Sequence, residues 1–262
     1  MSHSQEIHPT ASIADNVKLG KGVTIGPFAV VEEHVEIGDG CHIGAHAVIQ
    51  PFVRMGSANR LHPHVVLGDL PQDLSFDAAT RSWLVIGDGN VFREGFTAHR
   101  ATVEEGATRI GSSCYFMNNS HVAHDCRVGN HTIFANNVAI GGVVEVGDHV
   151  FIGGAAVVHQ FCRVGSYAII RGTTGVSKDV IPFTMLGGFP VKHYRLNIVG
   201  LKRAGISGQR YKLLAAAFRL LKQRESLDGL EESDELHYLK QWLATDSKRG
   251  VHGFVDVGKS RE

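Results

Sequence analysis

An aliphatic residue recurs at every sixth position through most of this chain. The series runs Ile7, Ile13, Leu19, Ile25, Val31, Ile37, Ile43, Ile49, Met55, Leu61, Leu67, then Ile86, Phe92, Ala98, and continues from Ile110 by sixes to Val176, about 26 hexads in all. A helix needs apolar spacing near 3.6 and a single strand a spacing of two, so a sustained period of six fits neither alone. It predicts a parallel β-helix with three short strands per coil, about 18 residues a turn. Position five of the hexad is usually small or β-branched, as at Val23, Ala29 and Ala168. It lies two residues before the next guide aliphatic, so both point into the prism. Position two is commonly glycine, as at Gly26, Gly44 and Gly165. Positions two to four therefore read as a corner, where positive φ or close backbone approach favours Gly and Asn.

Two stretches break the beat, residues 69–85 and 100–109, and insertions in a solenoid project as loops that often carry function. The hexads stop after Pro182. From about Leu201 the spacing becomes helical, with Tyr211, Leu214, Phe218 and Leu221 on one face and Leu236, Leu239, Trp242 and Leu243 on another. The expected organisation is a mainly β chain, a β-helix of hexapeptide repeats over 1–190 followed by a C-terminal α-helical domain over 191–262.

Composition narrows the function. The 262 residues carry a formal net charge of zero, which argues against wholesale nucleic-acid binding. No signal-peptide pattern opens the chain and no apolar run suits a bilayer, so it reads as cytoplasmic, without membrane insertion. Cys41, Cys114, Cys126 and Cys162 all occupy position five, where a thiol serves as a small core residue. The helical part opens with Lys202, Arg203, Arg210, Lys212, Arg219, Lys222 and Arg224 before any acid, a solvated face or a dock for an acidic partner.

Among 16 histidines the cluster His121-Val-Ala-His-Asp-Cys126 stands out. His124 and Asp125 fall at a corner, where they can meet on the outside. A carboxylate beside an imidazole fixes its tautomer and favours its charged form, which a general base requires. Gly142 lies 18 residues on and His159 35 residues on, so both should stack on the same face. A metal is the competing reading, but His121 and His124 are three apart, without the His-x-x-x-x-His element of zinc-binding β-helices such as the gamma-type carbonic anhydrases; no metal site is expected.

That run, with Gln72-Asp-Leu74, Val158-His-Gln-Phe161 and Asn197 through Gly200-Leu-Lys-Arg203, closely resembles the UDP-N-acetylglucosamine O-acyltransferase family that opens lipid A biosynthesis. The resemblance covers nearly the whole chain. It implies a left-handed parallel β-helix in a homotrimer with sites between subunits, no cofactor, and transfer of a 3-hydroxyacyl group from acyl carrier protein to the 3-position of a UDP-sugar. By this likeness His124 is the base, Asp125 orients it, and the Gly142 N–H meets the thioester oxyanion. Asp73, His121 and Gln160 match positions near the sugar, with His159 beside them; Asn197 and Arg203 match positions near the nucleotide, and Gly172 one that limits acyl length. Acyl carrier protein is acidic, which makes the basic run a docking face. The chain departs from the family at Val143, Ser75, Val199 and Ala204, where a histidine, lysine, glutamate and second arginine are usual. Some relatives acylate a 3-amino analogue, so N-acylation of that or another nucleotide sugar is the alternative, with a non-catalytic β-helix scaffold as the contrasting class.

Overall fold

The computed structural model describes residues 6–255. The guide positions fall in 26 short strands, from β1 (Glu6–Ile7) to β26 (Gly175–Val176), each of two to four residues. They stack in parallel into three sheets. The first starts at β1 and holds nine of them, the second starts at β2 (Ser12–Ile13) and holds nine, and the third starts at β3 (Lys18–Leu19) and holds eight. Registers such as Thr24↔His42 and Val30↔Val48 step by 18 residues, the coil length that the period requires.

Guide aliphatics and position-five residues fill the prism, with Phe92, Phe96, Phe116 and Phe134 fully buried at mid-height. The Phe92 and Phe116 rings lie 5.2 Å apart and Phe116 and Phe134 5.0 Å, one coil spacing each. The buried cysteines also donate: Cys41, Cys114 and Cys126 each place Sγ 3.1 Å from a glycine carbonyl of the next coil. Burial raises the Cys126 thiol to about 12 and those of Cys114 and Cys162 to about 11, so they stay protonated and unreactive.

The corner chemistry divides differently from a single Gly-favouring stretch. Position-two glycines answer close approach: a Cβ on Gly44 would sit 2.7 Å from the Leu61 carbonyl oxygen. Positive φ falls instead at position four, mostly on larger residues such as Phe28, His46, Asp125, Val143 and Tyr167. Their rings stack up the corners, His131 on His149 at 4.7 Å and His149 on Tyr167 at 4.7 Å. Such ring contacts offset backbone strain that recurs in every coil.

Sheet faces differ in chemistry. The outward column of the second sheet includes Val30, Val48, Val66, Ala139 and Val157, and the upper first sheet adds Ile133, Phe151 and Ile169. The third sheet shows Lys18, Glu36, Arg54, Arg109, Arg127, Glu145 and Arg163. The third sheet is thus the charged face, while the apolar columns lie on the other two.

Both insertions leave the edge between second and third sheets. The strands β11 (Val66–Asp69) and β12 (Trp83–Ile86) confine the first to 70–82, while β14 (Thr97–His99) and β15 (Ala107–Ile110) confine the second to 100–106. Both are narrower than the break in the repeat suggests, because flanking residues such as Trp83 and Ala107 pair as strand. Nor does the first sheet end where the hexads do. It takes β27 (Thr184–Gly187) in parallel and β28 (Lys192–Leu196) antiparallel, a hairpin that spans the expected boundary at 190.

Three helices follow: α1 (Ile198–Arg203), α2 (Gly208–Gln223) and α3 (Asp234–Ala244). Leu214, Ala217, Leu236 and Leu239 pack with Ile181, Phe183 and Leu201, and the Tyr238 hydroxyl donates to Ser166 Oγ at 2.9 Å. These contacts seat the helices on the last coil. No helix among the described residues is long and apolar enough to cross a membrane.

Candidate active site

His124 follows β17 (His121–Val122) at the edge from which both insertions project. Its Nδ1 lies 2.8 Å from Asp125 Oδ2, and the two side chains are 17% and 19% exposed. A carboxylate accepts, so Nδ1 carries the proton and Nε2 keeps a free lone pair. Asp125 adopts φ 60°, a conformation Asp tolerates, and this turns its carboxylate back toward the imidazole. The second insertion then clamps it. Thr102 Oγ1 donates to Asp125 Oδ2 at 2.7 Å, the Thr102 N–H reaches Oδ1 at 3.2 Å, and Thr108 Oγ1 accepts from the Asp125 N–H at 2.7 Å. Thr102 had no signature in the repeat, because its role depends on where an irregular loop folds back.

Gly142 lies one coil above, against the face of the His124 ring; a Cβ there would fall 2.5 Å from Nε2. The neighbouring amides are committed, Gly141 N–H to Val158 O and Val143 N–H to His124 O. Among the described residues nothing accepts from the Gly142 N–H. A free donor thus lies next to a free base.

His121 faces outward one position before its guide. Its Nδ1 contacts Thr97 Oγ1 at 2.7 Å, and burial, with His99 and His124 nearby, pushes the ring down to about 4, so it is neutral at working pH. Asp73, exposed on the first insertion, accepts from the Ser75 hydroxyl at 2.7 Å and its N–H at 2.9 Å. Those bonds, with His124 close enough to be felt, hold its carboxyl below the usual range. Ser75 therefore serves Asp73 where a lysine is usual. His159 and Gln160 are exposed two coils above the dyad, His159 Nδ1 donating to the Gln160 carbonyl at 3.2 Å.

Three expected site residues lie elsewhere on the chain. Gly172 is at the edge between first and second sheets, on the rim of a cleft of about 790 Å³ that also takes in Arg171, Lys178, Lys192 and the exposed Phe189. Asn197 and Arg203 line a cleft of about 410 Å³ near the edge between third and first sheets, with His149, Phe151, Tyr167 and Val199. Asn197 is 4% exposed and caps α1, accepting from the Gly200 N–H at 2.9 Å and donating to Tyr167 O at 2.8 Å. Neither cleft includes His124. Of the seven cations opening the helical part, Arg210 is engaged with Glu235, while Lys202, Arg203, Lys212, Arg219 and Arg224 are exposed. No three metal-ligating side chains converge among the described residues.

Residues 179–254 match the profile described as Udp N-acetylglucosamine O-acyltransferase, Domain 2, and residues 34–69 and 107–142 match that of the bacterial transferase hexapeptide. The chain is 54% identical over 256 residues, 94% of each chain, to the acyl-[acyl-carrier-protein]--UDP-N-acetylglucosamine O-acyltransferase of a Sulfurihydrogenibium species. It is 41% identical over 255 residues to the enzyme of that name from Alkalilimnicola ehrlichii, covering 94% of this chain and 98% of the relative. Among solved structures, the UDP-N-acetylglucosamine acyltransferase of Bacteroides fragilis superposes with a TM-score of 0.88 at 33% identity, over 93% of this chain and 98% of that one. The enzyme of Francisella novicida gives 0.88 at 29% identity, over 95% of each. The left-handed parallel β-helix expected from the sequence is the fold of this chain.

Proposed function

Because the chain belongs to the acyl-[acyl-carrier-protein]–UDP-N-acetylglucosamine O-acyltransferase family, we propose that it transfers a 3-hydroxyacyl group from acyl carrier protein to the 3-hydroxyl of UDP-N-acetylglucosamine, with His124 as general base. The observation that carries this is the His124–Asp125 pair with a free N–H beside it. His124 Nε2 takes the proton of the acceptor hydroxyl as its oxygen attacks the thioester carbonyl. The new oxyanion accepts from the Gly142 N–H, an interaction whose loss elsewhere costs about 10²–10³ in rate. Collapse expels the carrier thiolate, which takes the proton from Nε2–H. Asp125, clamped by Thr102, holds the ring and offsets the charge it gains in between.

The active unit in this reading is a homotrimer in the cytoplasm with sites between subunits. Asp73, His121, His159 and Gln160 share an edge with His124, but Asn197 and Arg203 lie by a second edge and Gly172 by a third, so one chain cannot surround one ligand with all of them. Packing the apolar columns of the first and second sheets against other copies would bring these edges together and leave the charged third sheet in water. The exposed cations of α1 and α2 supply the dock for acidic carrier protein.

The test is incubation with 3-hydroxyacyl carrier protein and UDP-N-acetylglucosamine, then with the 3-amino analogue, reading product by mass spectrometry. Ester from the first is expected. Amide alone would assign the alternative acceptor, and no product from either rejects the reading. His124→Ala should abolish turnover with the trimer intact, whereas undiminished turnover would move the proton to another group or leave a scaffold. Mixing His124→Ala chains with Arg203→Ala chains should regain activity if sites are shared between copies.

A further inference from the structure

His99 has no part in the roles assigned so far. It ends β14, one residue after the guide Ala98 and one coil below His121. The side chain is only 6% exposed, and its Nδ1 is buried with no hydrogen-bond partner among the described residues. Leaving a buried nitrogen unpaired is unfavourable, so the ring is held there by what its shape does. What it touches is His121, edge to face, with centroids 4.8 Å apart and planes at 71°. His121 Nδ1 also meets the Thr97 hydroxyl at 2.7 Å. Asp69 pairs with His99 in register from the coil below, and Asp69, His121 and His124 are the charged or titratable groups that face it.

We propose that His99 is a positioning residue for acyl transfer: its ring seals the rear of His121 from water and keeps that imidazole neutral and fixed beside His124. This rests on reading His124 as the base. When His124 takes the acceptor proton it becomes a cation in a partly buried site. A second imidazolium at His121 would oppose that charge, at an energy that grows as water is excluded. Burial is the main cause holding His121 at about 4, and His99 itself is lowered by burial, so neither competes for the proton.

The experiment is a titration of the His121 ring by ¹⁵N–¹H NMR in the full-length protein, beside the pH profile of kcat/KM. In the wild type His121 should titrate at about 4. His99→Ala admits water and should raise it by about one unit or more toward the ordinary 6.5, with the acid limb of kcat/KM moving the same way. His99→Phe refills the space and should restore both. A purely structural role would lower the melting temperature without moving either titration. If the alanine variant does not fold, His99→Asn gives the same reading with a smaller, water-admitting side chain. An unmoved His121 in the alanine or asparagine variant overturns the proposal, as does a phenylalanine variant that shifts like alanine. The NMR titration needs no turnover, so it judges His99 even if the wild type transfers no acyl group, an outcome that would sink only the reading of His124.

Discussion

Gly142→Ala tests the His124 site with one added methyl. Its Cβ would lie 2.5 Å from Nε2 of His124 and 3.1 Å from Nδ1, whereas non-bonded heavy atoms settle at about 3.5 Å or more. The ring must withdraw by about 1 Å, because Gly142 is fixed by coil bonds on both flanks, from Gly141 to Val158 and from Val143 to His124. Withdrawal works against the 2.8 Å bond to Asp125, itself tied to Thr102. A displacement of about 1 Å at a catalytic group costs about 10²-fold, equivalent to about 2.7 kcal/mol of barrier. The backbone N–H is retained, so the loss reports the imidazole rather than the oxyanion donor. Steady-state kinetics with saturating carrier protein should show kcat down about 100-fold with the melting temperature near wild type. Gly154→Ala is the control, since its Cβ would approach nothing nearer than 3.4 Å. Wild-type kcat in Gly142→Ala, with a crystal structure showing the ring displaced, would refute the assignment of His124 as base.

Thr102→Val removes the hydroxyl that donates to Asp125 Oδ2 but keeps the N–H contact, and kcat should fall about tenfold with KM unchanged, the scale of one hydrogen bond to a charged group. Val143 is β-branched at φ 59°, so Val143→Asn should relieve about 1 kcal/mol of strain and raise the melting temperature by about 2–4 °C in a calorimetric scan. His193 is buried, takes the Ile181 N–H on Nε2 at 3.0 Å, and is pushed by burial from 6.5 down to about 4. The unfolded chain therefore binds the proton first: this contribution, on the order of 3 kcal/mol, is complete above about pH 6.5 and is lost as pH falls toward 4. Denaturation followed by circular dichroism should show that slope in the wild type and a shallower one in His193→Gln; equal slopes would contradict the assignment.

The prism was legible because its signal is translational: each guide aliphatic repeats the same inward direction, and every one fell in a strand. The dyad was legible for the opposite reason, since His124 and Asp125 are adjacent and need only a corner to meet. Gly142 and His159 followed by counting 18 and 35 residues on from 124, whereas Gly172, 48 residues on, falls at a different edge. What the repeat concealed lies where it breaks or turns back. Thr102 reaches Asp125 across 23 positions of irregular loop, and Arg210 meets Glu235 between two helices whose packing no periodicity encodes. His99 carried a signal in its place one residue after a guide, the position Ala123 holds a coil later. The positive φ at position four left none, because Phe28, Val143 and Tyr167 are residues that avoid that conformation when alone and accept it in a stack.

A uniform repeat raises the question of why chemistry belongs to one coil. Up the edge between second and third sheets, the column through His124 reads Arg100, His124, Gly142, Gln160 and Lys178, one residue per coil. An imidazole with a ring directly above it would have that face covered, as His131 does under His149. The glycine above His124 leaves Nε2 uncovered, and its own N–H has no acceptor among the described residues. Below, the second insertion diverts the chain, so that the Asp125 N–H goes to Thr108 Oγ1 in place of another coil's carbonyl and Thr102 grips the carboxylate. The proposed reactive position is thus set by the coils on either side of it, one by lacking a side chain and one by leaving the repeat. On this argument, grafting His-Asp onto another corner of the same edge without both neighbours should leave the new imidazole without transferase activity.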